Sequence, residues 1–224
     1  MTVLVNDPLP ERPVGLRERA KQLKMSRIKE AAEQLFRESA FEAVTTKQIA
    51  ERAQVGEATL FRYVSSKKEL LLLIYADRME RLLERIEHDD QVRRAGRPGA
   101  ADGNAFCRRV YSVYRVRSDF YREDPVNAAI YLREGFEEGS RFGNRSVEQG
   151  DRLIRLTTDI LREGQQSGAL TGSVDARLVA QNCHGIFLHE VDRTPVRGFA
   201  TDTIWDRVHE RLVVQLEPLI VDAD

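Results

Sequence analysis

The 224-residue chain predicts an all-α fold, and three observations carry that prediction. No segment alternates apolar and polar residues over five positions, so no half-buried strand is signalled. Apolar residues instead recur at i, i+3, i+4 and i+7 in one segment after another. Helix-start signals also stand where those segments begin: Thr45 with Gln48, Ser66 with Glu69, and Asp124 followed by Pro125. Three parts are expected: a disordered, proline-rich arm over 1–15, a small three-helix unit over 16–69 and a larger helical body over 70–224.

From Leu16 a basic segment opens, with Arg17, Arg19, Lys21, Lys24, Arg27 and Lys29 outweighing Glu18. Ile28, Ala31, Ala32, Leu35 and Phe36 then give the first helix a core face, and Phe41 and Val44 are expected to close a small core around it. Thr45 caps the second helix, whose apolar stripe is Ile49, Ala50 and Ala53. Gln54-Val55-Gly56 breaks the stripe; Gly56 caps a third helix that turns Leu60 and Val64 inward. Two helices of about two turns joined by a turn of three or four residues form a helix-turn-helix module, whose second helix lies in the DNA major groove.

A long helix follows from Ser66 to about Glu87, apolar nearly all round over Leu70–Tyr75 and therefore buried on several sides. His88–Asp102 is polar, with Gly96, Pro98 and Gly99, and reads as a loop. Asn104–Tyr121 is helical, with Phe106, Val110, Val113, Tyr114 and Arg117 on one side. After Asp124-Pro125 the stripe is Val126, Ala129, Ile130 and Arg133, stopped at Gly135, and Gly139–Asn144 reads as a loop. Ser146–Ser167 follows, with Leu153, Leu156, Ile160 and Leu161 inside and Gly168 at its end. The last helices span 175–192, with Leu178, Val179, Ile186, Phe187 and Val191, and 202–220, with Ile204, Trp205, Val208, Leu212, Leu216 and Leu219.

The stretch Arg27–Leu71 resembles the DNA-binding domain of the TetR family of bacterial one-component transcriptional regulators. The likeness rests on ordered features: AAEQLF in the first helix, then FEAVTT, QIAERAQV, ATLFRYV and SKKELL. It covers about 50 residues, and beyond residue 88 only the helix pattern and ILREGQQSGAL are similar. The resemblance implies a ligand-responsive repressor: a homodimer on a palindromic operator in double-stranded DNA, released by a small, largely apolar effector bound in the body. It further implies that the last two helices pair with their mates in a four-helix bundle, with Phe187, Trp205, Val208 and Leu212 at the interface. Effector binding is then expected to tilt the long helix and respace the two modules, which would read half-sites about 34 Å apart.

By position, Glu57, Ala58 and Phe61 face bases, with Arg62 beside them. Thr46, Thr59, Tyr63 and Lys67 match positions at which the family contacts phosphates, and Thr45 and Gly56 complete the candidate DNA-binding set. Tyr63 packs under the turn in a competing reading, and Phe61 serves either core filling or stacking on a thymine methyl. The sequence departs from the family pattern at Gln54, where many relatives have Gly, at Gly56, where Ser or Thr is common, and at Glu57, where Lys or Arg is usual. Glu57 either accepts from cytosine N4 or is a solvent-facing acid at a helix start. The middle helices carry Phe106, Tyr111, Tyr114, Phe120, Tyr121, Tyr131, Phe136 and Phe142, of which most are core; Phe106, Tyr114, Arg117, Tyr121, Ile130, Tyr131 and Arg133 are the candidate effector-pocket residues. Arg117 and Arg133 either meet an anionic ligand or pair with nearby acids.

Charge supports the division. Residues 11–68 hold 13 Lys/Arg against 8 Asp/Glu and the rest 22 against 28, a basic module on an acidic body with a net charge of −1. No run of 18 apolar residues and no signal-peptide pattern occur, so no membrane partner and a cytoplasmic location are expected. Cys107 and Cys183, the two cysteines, have no metal-ligand spacing. Cys183-His184 and His189-Glu190 suggest a nucleophile or metal site, but adjacent helical side chains diverge by about 100° and the two histidines are five residues apart. No catalytic residue, metal or cofactor is assigned. A helical adaptor without DNA activity, or less favourably a helical enzyme, is the alternative.

Overall fold

The computed structural model describes residues 15–95, 102–134 and 142–221. The arm up to residue 14, Gly96, Pro98 and Gly99, the stop at Gly135 and Phe136 lie outside them. The described residues are helical, with one isolated antiparallel bridge between Leu170 and Ile220. The chain divides between Leu70 and Leu71 into two compact units.

In the first unit, α1 (Leu16–Glu38) joins the basic segment and the core-facing segment in one uninterrupted helix. A 3₁₀ turn at Phe41–Ala43 leads to α2 (Thr46–Arg52) and α3 (Glu57–Leu60). Ile28, Ala31, Ala32, Leu35, Phe36, Val44, Ile49, Ala50, Ala53, Leu60 and Val64 are all buried, so the expected core forms. Phe41 sits half-buried at its rim, 5.6 Å from the Phe36 ring. Thr45 makes the expected capping box: its side chain accepts from the Gln48 N–H, and the Gln48 side chain accepts from the Thr45 N–H at 2.8 Å. Gln54 stands at φ +54°, in the left-handed region that ends α2.

The α3 helix is shorter than the two turns its sequence suggests. Winding continues past Leu60 in a tighter form: the N–H of Arg62 bonds the carbonyl of Thr59 at 3.1 Å, and that of Tyr63 the carbonyl of Leu60 at 2.9 Å. These are three-residue closures, which satisfy the orphan carbonyls of a short helix.

In the second unit lie α5 (Gly103–Glu123), α6 (Pro125–Glu134), α7 (Gly143–Gln166), α8 (Ala176–Arg197) and α9 (Ile204–Leu216), together with most of α4 (Lys67–Ala95). The α7 helix packs on α8, α8 on α9, and α5 on both α7 and α9. Gly168, at φ +76°, ends α7 as expected.

Three expectations are corrected here. The loop expected at His88–Asp102 is helical through Ala95. Asp90, 5% exposed, receives Arg109 through Nε and Nη2 at 2.8 Å each, while Arg109 Nη1 reaches Glu163 at 2.7 Å. That part-buried ion triad holds a polar sequence in a helix that composition alone argues against. The buried face of α6 is Asn127, Ala128, Tyr131 and Glu134 rather than Val126, Ala129, Ile130 and Arg133, and Val126 is 62% exposed. Asp124 sets this rotation, accepting from the Tyr75 hydroxyl and from Asn127 Nδ2 at 3.0 Å. Gly143 and Asn144, expected in a loop, already belong to α7.

Candidate functional site

The outer face of the first unit is assembled around α3. Gly56 supplies only backbone at its start, and no side chain caps the helix. Thr46 donates its hydroxyl to Glu57 Oε1 at 2.6 Å, which fixes the direction of that carboxylate across the α2–α3 corner. Glu57, Ala58, Phe61 and Arg62 are exposed, while Thr46, Thr59 and Tyr63 are half-buried. Phe61 is 48% exposed although Leu60 beside it is 1% exposed, which excludes the core-filling reading of Phe61.

Two cations hold the corner from behind. Arg27 donates to the Ala53 carbonyl at 2.6 Å and to Gln54 Oε1 at 3.1 Å, serving the carbonyl end of α2. Lys67 Nζ donates to the carbonyls of Phe41 at 2.6 Å and Val44 at 2.8 Å, and lies 4.3 Å from the centroid of the Phe41 ring. The Lys67 side chain, expected on a phosphate, is therefore turned inward to brace the 3₁₀ turn. Its three donors find concentrated carbonyl charge there.

The second unit contains a cavity of about 190 Å³ bounded by α4, α5, α6, α7 and α8. Its apolar wall includes Met79, Leu153, Ile154 and Leu188, and its polar groups include Arg117, Tyr131, Gln149 and His184. The Tyr131 hydroxyl donates to Gln149 Oε1 at 2.6 Å, and Gln149 Nε2 donates to the Ala76 carbonyl and Glu80 Oε2 at 3.1 Å each. This network ties the cavity wall to α4. Arg117 is 3% exposed, lies 4.0 Å from the centroid of the Phe187 ring and meets His184 Nδ1 at 3.1 Å. Burial, followed by the Arg117 charge, pushes the His184 pKa down to about 3. Burial also lowers the Arg117 pKa, to about 10, so at neutral pH the arginine stays charged and the histidine neutral.

Of the seven residues expected around an effector, Arg117 and Tyr131 line this cavity. Phe106, Tyr114 and Tyr121 are buried in the helical core and do not line it. Ile130 and Arg133 lie off the buried face of α6, and Arg133 Nε stands 3.7 Å from Asp192. Gln149, Gly150 and His184 were missed. A helical pattern gives no weight to isolated polar residues, although Gly150 opposite His184 is a readable signal: a Cβ there would stand 3.2 Å from His184 Nε2.

The expected interface residues are also placed differently. Phe187, Val208 and Leu212 are at most 2% exposed within one protomer, where α8 packs on α9. Trp205 is half-buried against its own chain, with its ring 4.9 Å from His209 and 5.3 Å from the Arg115 guanidinium carbon. The open face of α8 is instead Leu178, Asn182, Gly185 and His189, at helical spacing, with Leu178 61% exposed. On α9, Val214 is 75% exposed.

Cys107 and Cys183 are buried free thiols, pushed by burial up to about 11 and about 12, and are inert core residues. Among the described residues no cluster of three or more metal-ligating side chains occurs. No described helix is long and apolar enough to cross a membrane.

A capped helix-turn-helix unit joined to a separate cavity-bearing helical body defines a ligand-responsive, DNA-binding transcriptional regulator. Residues 28–74 match the family model of bacterial regulatory proteins of the tetR family. It is 22% identical over 188 residues to a fatty acid metabolism regulator protein of Bacillus subtilis, covering 84% of this chain and 90% of that one. Among solved structures it is similar to Thermus thermophilus FadR, a repressor in complex with lauroyl-CoA, with a TM-score of 0.63 and 19% identity over 89% of this chain and 97% of that one. A regulator from Haloarcula marismortui superposes with a TM-score of 0.66 at 18% identity, over 88% of this chain and 98% of that one. At these identities the structural likenesses establish the fold.

Proposed function

We propose that the chain acts in the cytoplasm as a homodimeric repressor, whose first unit grips operator DNA and whose second unit releases it when a small, largely apolar effector fills the cavity. The observation carrying this reading is the exposed strip Glu57, Ala58, Phe61 and Arg62 on a corner braced from behind by Arg27 and Lys67. A strip so presented reaches base edges; Thr46, Thr59 and Tyr63 on its flanks, with the backbone at Thr45 and Gly56, hold phosphates. Lys67 contributes by positioning this surface rather than by touching DNA.

Effector binding couples to DNA through α4, which starts in the first unit and lines the cavity with Met79 in the second. An effector that distinguishes two settings of α4 by about 1–3 kcal/mol gives a working switch. The lauroyl-CoA held by the Thermus relative supports an apolar ligand in such a helical body.

Duplex selection from random DNA, with anisotropy measured across a salt series, tests the first half. Binding should select an inverted repeat and weaken steeply as salt rises through counterion release. Retention that is flat in salt, or selection of no symmetric site, refutes DNA recognition. In the selected site Glu57→Gln should relax a cytosine preference at one position per half-site; an unchanged base preference assigns Glu57 to the helix start alone.

A further inference from the structure

The Arg117 guanidinium is a group that a purely apolar effector does not need. It is 3% exposed, its Nε has no hydrogen-bond partner, and among the described residues it makes no ion pair with a carboxylate. Its recorded partners are neutral: the His184 ring and the face of Phe187. Asp151 also lines the cavity, but from an exposed position that leaves Arg117 unpaired. A charge taken out of water without a counter-charge is strongly unfavourable, and folded chains keep one where something else supplies the opposite sign. Nδ1 of the neutral His184 accepts from Arg117, so its hydrogen is on Nε2. Arginine and histidine together thus offer N–H donors and no free acceptor.

We infer that the cavity is a receptor for a small apolar monocarboxylate, with its carboxylate on Arg117 beside His184 and its body against Met79, Leu153, Ile154 and Leu188. The volume of about 190 Å³ limits the body, since an apolar cavity of about 150 Å³ accepts benzene; one ring or a short alkyl chain fits. A thioester carbonyl is neutral and would leave Arg117 uncompensated, which separates this chain from a relative that holds lauroyl-CoA. The inference rests on the proposed function only in taking the cavity as the effector site.

The full-length protein is titrated by calorimetry and thermal shift with benzoate and octanoate, with benzamide and octanamide, and with octanoyl-CoA. Operator anisotropy is followed in parallel. At least one acid should bind at least tenfold tighter than its amide. Arg117→Met should abolish that preference while its ligand-free Tm, with helicity checked by circular dichroism, is no lower than that of the parent. Arg117→Lys, which keeps the charge and loses the fork, should retain a weakened preference. Equal binding of acids and amides, binding of octanoyl-CoA alone, no binding by any of the five, or an acid preference surviving in Arg117→Met overturns the inference. Acids that bind as expected but leave the operator complex intact uphold the carboxylate site and refute its role as effector site. Failure of operator binding without ligand refutes the DNA-binding reading alone.

Discussion

Gln54 carries the corner between α2 and α3 in a left-handed backbone, which costs an L-residue about 1–2 kcal/mol. Glycine there removes the strain but frees the unfolded chain and drops the contact with Arg27, so Gln54→Gly should stay within about 0.5 kcal/mol of the parent. A β-branched residue cannot share that balance: Gln54→Val should destabilise the first unit by about 1–2 kcal/mol in urea melts. His184 sets a pH limit on the second unit. Its folded pKa of about 3 lies below the ordinary 6.5, so below pH 6.5 the unfolded chain takes up a proton that the folded ring refuses. Its contribution is complete above pH 6.5 and lost as pH falls toward 3, by up to about 1.4 kcal/mol per pH unit. Melts at stepped pH should show this slope, and His184→Gln should flatten it.

At the scale of elements, the end of α4 is held by tertiary ion pairs, the part-buried Asp90–Arg109–Glu163 triad and Arg94 with Glu163, rather than by its own sequence. Removing Asp90 leaves Arg109, whose side chain is 12% exposed, with Glu163 alone. Asp90→Ala should destabilise the second unit by about 1–3 kcal/mol and raise hydrogen exchange at the amides of residues 88–95. The sequence marked these residues as loop because propensity and polarity are local, whereas Arg109 and Glu163 arrive from α5 and α7. The face of α6 was misread for a related reason. Val126 and Ile130 are the more apolar residues, but Tyr131 and Asn127 have partners in Gln149 and Asp124 and so turn inward. In the first unit local and tertiary signals agree, which is why the capping box at Thr45 and the core from Ile28 to Val64 were legible residue by residue.

For the whole molecule, the proposed homodimer sets two modules on one duplex, and the open face of α8 is a candidate surface for pairing. A Cβ at Gly185 meets nothing within 4 Å, so Gly185→Arg leaves the protomer's packing untouched while placing a charge at the centre of that face. Sedimentation should show a monomer of unchanged helicity, and operator affinity should fall by at least tenfold as one half-site is lost. Dimerisation that persists in Gly185→Arg places the interface elsewhere.

The sequence by itself determined the helical class and the position of the helix-turn-helix, because caps, periodicity and turn residues act within a few positions of one another. Only the tertiary structure decided which aromatic and charged residues surround a cavity, that Arg117 lacks a counter-charge, that Lys67 faces inward, and that Phe187, Val208 and Leu212 belong to one protomer. Those outcomes depend on side chains brought together from distant helices, and the burial that makes a lone charge or an open helix face consequential exists only once the helices have packed.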